Sequence, residues 1–168
     1  MIKNLFEKKT LIFGCGNILL GDDGFGPAVI KHLNETCLLP QDVLAVDMGT
    51  SIRDTLFDLT LSQKRPERLI IVDAVDFPNR KPGEVFQIPL EEIPAKKIAD
   101  FSLHQFPTVN LLADLKAHCR LDIAILVAQI KAIPDRIKPG LSKPIQQAVI
   151  AACERLLQLI SDTNTLST

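Results

Sequence analysis

The stretch Leu69-Ile70-Ile71-Val72-Asp73-Ala74-Val75-Asp76 decides how the rest of the 168-residue chain is read. A continuous apolar run rich in β-branched residues, without polar alternation, is what a strand buried on both faces requires. Such a strand belongs inside a parallel sheet that carries helices above and below it. The run ends in carboxylates, and parallel sheets place their sites beyond the carboxyl ends of the strands.

Upstream, Leu11-Ile12-Phe13-Gly14-Cys15-Gly16-Asn17-Ile18-Leu19-Leu20-Gly21-Asp22-Asp23-Gly24-Phe25-Gly26-Pro27 reads as a strand, a sharp glycine turn, and a helix that ends before Pro40. Pro27 suits the first turn of that helix, and Ala28, Val29, Ile30 and Leu33 give it one apolar face. Gly14-x-Gly16 has the outline of a dinucleotide fingerprint. Leu19 stands at the third glycine position, however, so the close helix-to-strand packing that glycine allows is expected to be missing, and Asp22 and Asp23 would repel a phosphate. Asp42 to Asp47 reads as the next strand. Met48-Gly49-Thr50-Ser51 then turns into a helix carrying Leu56, Phe57 and Leu59, with Thr50 or Ser51 as its cap.

Downstream of the central run, Phe77 to Pro82 is a loop and Gly83 to Ile88 a short edge strand, and Pro82, Pro89 and Pro94 predict irregular structure. Ser102 and Gln105 resemble a capping box for a helix over Phe106 to Lys116, with Phe106, Val109, Leu112 and Ala113 on one face. His104 then lies at or beside the start of that helix. Leu121 to Gln129 contains another strand, and Ile130 to Pro139 is a proline-broken loop. A closing helix begins near Ser142 and presents Ile145, Val149, Cys153, Leu156 and Ile160 on one side. Alternating strands and helices predict a single α/β domain over residues 1–168. It is a three-layer fold with a twisted, mostly parallel sheet of about five strands, right-handed crossovers and helices on both faces. Residues 1–9 read as an N-terminal extension and 161–168 as a flexible polar tail.

Composition narrows the function. A formal charge of -1 gives no basic footprint for nucleic acid or an acidic membrane. No apolar run approaches the roughly 20 residues of a membrane span, and the N-terminus lacks a signal-like apolar region. A cytoplasmic monomer without membrane insertion is expected. Cys15, Cys37, Cys119 and Cys153 are scattered without a Cys-x-x-Cys pair, so free thiols are expected rather than a zinc knuckle or redox dithiol.

The sheet rule brings Asp23, Asp47, Asp73 and His104 to one edge. Two carboxylates and an imidazole suit a divalent metal of intermediate hardness, and nickel, zinc, iron and manganese all stay open. A helix N-terminus disfavours the imidazolium, which would leave His104 neutral and able to coordinate. Each residue also has an ordinary reading. Asp22 or Asp23 can cap a helix, Asp73 can bind loop amides, His104 can be structural, and Cys15 lacks an adjacent base that would make it a nucleophile.

Taken in order, Gly14 to Gly26, Asp47-Met48-Gly49-Thr50, Leu69 to Ala74, Ser102-Leu103-His104-Gln105 and Gly140-Leu141-Ser142 resemble the hydrogenase maturation endopeptidases over nearly the whole chain. The segment around His104 is similar to the branch serving archaeal deazaflavin-reducing hydrogenases. The resemblance implies a peptidase that removes the C-terminal extension of a nickel-iron hydrogenase large-subunit precursor after nickel insertion. It also implies Asp23, Asp73 and His104 as ligands, with Asp47 a possible accessory. The nickel would arrive with the substrate, and zinc or another divalent cation could take its place. Rival readings are a non-enzymatic nickel carrier or sensor, a nucleotide-binding domain built on the Gly14 turn, and a cysteine hydrolase using Cys15 and His104.

Overall fold

The computed structural model describes residues 4–92 and 108–164. Its strands are β1 (Thr10–Cys15), β2 (Val43–Gly49), β3 (Arg68–Val75), β4 (Val85–Gln87) and β5 (Asp122–Gln129). Its α-helices are α1 (Phe25–Thr36), α2 (Ile52–Leu61), α3 (Thr108–Cys119) and α4 (Lys143–Asn164). The sheet order is β2-β1-β3-β5-β4, so the run that reads as buried on both faces is the middle strand. β1, β2, β3 and β5 pair in parallel, and the short edge strand β4 is antiparallel to β5.

Side chains alternate across the strands and build two cores. Ile12, Ile70, Val72, Leu126 and Ala128 face α1 and α4, where Val29, Ile30, Leu33, Ile145, Val149 and Leu156 close over them. Leu11, Phe13, Leu69, Ile71, Ile125 and Val127 face α2 and α3, meeting Ile52, Leu56, Leu59, Leu112 and Leu115. A ten-residue helix such as α2 is marginal alone. Burial of three large aliphatic side chains, at about 1.5–3 kcal/mol each, supplies what its length does not.

Several local expectations are corrected. Phe57 is 55% exposed on the outer face of α2, because Leu56 and Leu59 already define the inner one. On α3 the buried pair is Leu112 and Leu115, and Ala113 is exposed, since residues three apart share a face. α2 starts after Ser51, but no side chain caps it. The expected flexible tail is helical over its described part: α4 continues to Asn164, and the Ser161 hydroxyl donates to the Leu157 carbonyl at 2.9 Å. In the N-terminal extension, Leu5–Glu7 form a 3-10 turn, and Leu5 and Phe6 pack against the α2–α3 core. His104, Phe106 and the Ser102–Gln105 capping box lie outside the described residues.

The topology sets the place of the site. β1 leads through α1 to β2 on one side, and β3 leads to β5 on the other. The last β1–β3 pair is Gly14 with Val72, so Cys15 and Asp73 stand where the two strands part. α1 begins directly on this junction. A Cβ on Gly26 would lie 2.2 Å from the Cys15 carbonyl oxygen and 2.5 Å from that of Val72, and one on Gly14 would lie 2.5 Å from the Gly26 oxygen. The expectation of missing close packing is therefore overturned: Gly14 and Gly26 supply it in place of a third fingerprint glycine.

Candidate functional site

At this switch point the neighbouring aspartates Asp22 and Asp23, both in the 3-10 turn Gly21–Gly24, do different work. Asp22 is 2% exposed and its carboxylate accepts from the Lys131 amide at 3.0 Å, the Ser142 amide at 2.7 Å and the Ser142 hydroxyl at 2.9 Å. It clips the loop after β5 and the start of α4 to the first turn. Asp23 is also buried, and its Oδ2 accepts from the Asn17 amide at 2.8 Å. The Gly16 turn folds so tightly over Asp23 that a Cβ there would lie 1.9 Å from the Asp23 carbonyl oxygen, with the glycine φ at +133°. A turn amide that could serve a bound phosphate thus serves the protein's own carboxylate, which disfavours the nucleotide reading.

Asp73 points into the junction at 3% exposure, and its Oδ1 accepts from the Ala74 amide at 2.8 Å. Burial pushes its carboxyl well above the usual aspartate range, the Ala74 amide opposes this, and the Asp23 charge adds to the rise. Two carboxylates in one desolvated place repel each other, and a cation would relieve both. Cys15, 1% exposed, feels the same field. Burial raises its thiol, followed by the charges of Asp73, Asp47 and Asp23. A thiol held protonated in this way is a poor nucleophile, which removes the ground for the cysteine hydrolase.

Asp47 occupies the rim. It is exposed, its Oδ1 accepts from the Gly49 amide at 2.8 Å, and Gly16 donates to the Gly49 carbonyl at 2.9 Å. The Asp47–Thr50 turn is thus tied to the Gly16 turn. Asp47, Ile18 and Pro27 line two adjoining grooves of about 360 and 210 Å³, one reaching Lys31 and Leu141, the other Asn17 and Thr50. Among the described residues no three histidine, cysteine, aspartate or glutamate side chains are grouped to hold a metal ion. The third expected ligand, His104, is four residues upstream of α3. The first turns of α3, through Asn110, Leu111 and Asp114, share a groove with Arg53, Asp54 and Phe57 of α2.

Sequence reasoning passed over Gln129. At 4% exposure it donates to the Asp76 carboxylate at 2.9 Å and accepts from the Phe77 amide at 2.8 Å, fixing the chain that leaves β3 just after Asp73. A single glutamine at the end of an apolar strand gives no signal of this. Asn17 gives no more signal, because its contact with Asp23 is made by a backbone amide.

A family model described as hydrogenase maturation protease matches residues 27–159. The chain belongs to the hydrogenase maturation proteases. It is 38% identical over 153 residues to a Methanocaldococcus jannaschii protein assigned to the same class, covering 90% of this chain and 96% of that one. It is 32% identical over 159 residues to the coenzyme F420 hydrogenase subunit delta of Methanothermobacter thermautotrophicus, with 92% and 96% covered. Among solved structures, the hydrogenase maturating endopeptidase HybD from Escherichia coli superposes with a TM-score of 0.72 at 27% identity, covering 92% of this chain and 93% of that one. This hydrogenase maturation protease is therefore an endopeptidase of single-sheet α/β architecture. The carrier reading gives way to an enzyme.

Proposed function

We propose that this protease removes the C-terminal extension of a nickel-iron hydrogenase large-subunit precursor once nickel has been inserted. The nickel is part of the substrate, and Asp23, Asp73 and His104 complete its coordination when the precursor docks. The observation that carries this reading is the pair of buried, mutually repelling carboxylates Asp23 and Asp73 at the switch point of the sheet. A cation arriving beside them relieves that repulsion, so docking favours the loaded precursor over the empty one. The 32% identity to a coenzyme F420 hydrogenase delta subunit favours an F420-type hydrogenase as the precursor's source.

The chain's own residues then have defined work. The Asn17 and Ala74 amides hold the two carboxylates in fixed directions. A cation beside Asp73 lowers its raised pKa, and the freed carboxylate can orient or deprotonate an attacking water. With Cys15 buried and protonated, water attacks directly and no acyl-enzyme forms.

The test is cleavage of a large-subunit precursor, with and without nickel, by the wild-type protein and by His104→Ala. Cleavage of the loaded precursor alone, lost in a variant that still melts cooperatively, supports nickel-gated proteolysis. Equal cleavage of both forms excludes the gate.

A further inference from the structure

Large aliphatic side chains are exposed beside the site on a surface built from two loops. Ile18 is 60%, Leu19 44% and Ile137 70% exposed. The loops are knitted by backbone: Leu20 and Lys138 form a parallel bridge, Lys138 donates to the Leu19 carbonyl at 2.9 Å, and Gly21 donates to the Lys138 carbonyl at 3.0 Å. In parallel pairing, residues at equal register share a side, which sets Leu19 beside Ile137. Asp22 holds both loops from beneath through Lys131 and Ser142. The apolar patch is therefore preformed, and a binder need not pay for ordering it.

Its surroundings are basic on balance, with Arg136 facing Asp135 at 3.8 Å and Lys131 and Lys138 in excess. Lys131, Arg136 and Lys138 are exposed on the same loop, with Asp135 the opposing charge, although the whole chain is close to neutral. Ile18 also lines the two grooves that run past Asp47, so the patch continues into the candidate site. A second copy of the chain meeting this face across a two-fold axis would set basic rim against basic rim.

We infer that the Ile18–Leu19–Ile137 surface docks the folded hydrogenase precursor through a complementary patch with an apolar centre and an acidic rim, close to the segment to be cut. This rests on the proposed substrate. Docking there places the precursor against the groove at Asp47 while leaving the metal test to the buried carboxylates. The apolar centre supplies affinity, and the basic rim steers encounter and fixes orientation.

Steady-state cleavage of nickel-loaded precursor by wild type, Leu19→Asp, Ile137→Asp and Leu61→Asp tests the surface. Leu61 is 69% exposed at the end of α2 and serves as the remote control. The expected result is a rise in KM on the order of tenfold for the first two variants, with a much smaller change in kcat and unchanged melting. Leu61→Asp should match wild type, and the wild-type KM should rise with added salt. Wild-type cleavage with unchanged KM in Leu19→Asp and Ile137→Asp overturns the surface alone. Failure of the wild type to cut the loaded precursor overturns the substrate and the surface together. A dimer of the free protein that Leu19→Asp dissociates would assign the patch to a second copy instead.

Discussion

At the scale of single residues, Asp22 and Asp23 show how adjacent identical side chains part company. Asp22 has its acceptors filled by the amides of Lys131 and Ser142 and the Ser142 hydroxyl, so it is a fastener. Asp73 is the opposite case, a carboxylate kept near another charge with its own neighbouring amide as support. Its pKa in the folded chain lies above the ordinary value of 3.8, so the folded state holds the proton to higher pH than the unfolded state does. The stability it contributes is fullest in acid and falls as pH rises from 3.8 through the raised folded value, then stays level. Asp73→Asn removes that decline. The expected outcome is a variant whose melting temperature gains on wild type as pH rises through this window, while cleavage falls on the order of 100-fold or more. Thermal melts across pH and single-turnover cleavage check the two halves. Parallel melting curves would show that the carboxylate is not under strain.

At the scale of elements, the start of α1 is tightly constrained against the sheet. The Gly26 position touches backbone of both β1 and β3, and backbone cannot rotate out of the way as a side-chain end can. Gly26→Ala should destabilise the fold by about 3 kcal/mol, read as a lower urea midpoint at constant slope. Gly14→Ala meets Cγ1 of the buried, β-branched Ile30 as well as the Gly26 carbonyl, so its strain is shared between a stiff side chain and backbone. A Gly26→Ala midpoint equal to wild type would mean that α1 can lift from the sheet without cost. The same contact aims Asp23, since the turn carrying it runs straight into α1.

At the scale of the whole molecule, the site is where chain segments far apart in sequence are fastened. Asp22 joins the first turn to positions 109 and 120 residues away. Asp22→Ala leaves the part-buried Lys131 and Ser142 amides without their acceptor and should cost about 2 kcal/mol. It should also raise KM for the precursor, because the Leu19–Ile137 surface and Asp23 both hang on this clip. Chemical denaturation and steady-state kinetics on one preparation would separate the effects. A stable variant with unchanged KM would show that the loops hold together without it. No helix among the described residues is long and apolar enough to cross a membrane.

The sequence by itself determined the layers, because burial on both faces leaves an unmistakable composition in Leu69–Val75 and a one-sided one in α4. It also determined the family, since Gly14–Gly26 and the Asp73–Ala74 strand end are local patterns. Where a helix register rested on weak periodicity, as at Ala113 and Leu115 of α3, the sequence misplaced the buried face. Only the tertiary structure decided that Asp22 is the residue that clips Lys131 and Ser142 to the first turn, that Gly26 replaces the absent fingerprint glycine, and that Gln129 anchors the loop after β3. Those facts depend on contacts between segments separated by tens of residues, and such contacts leave no periodic trace in the chain that makes them.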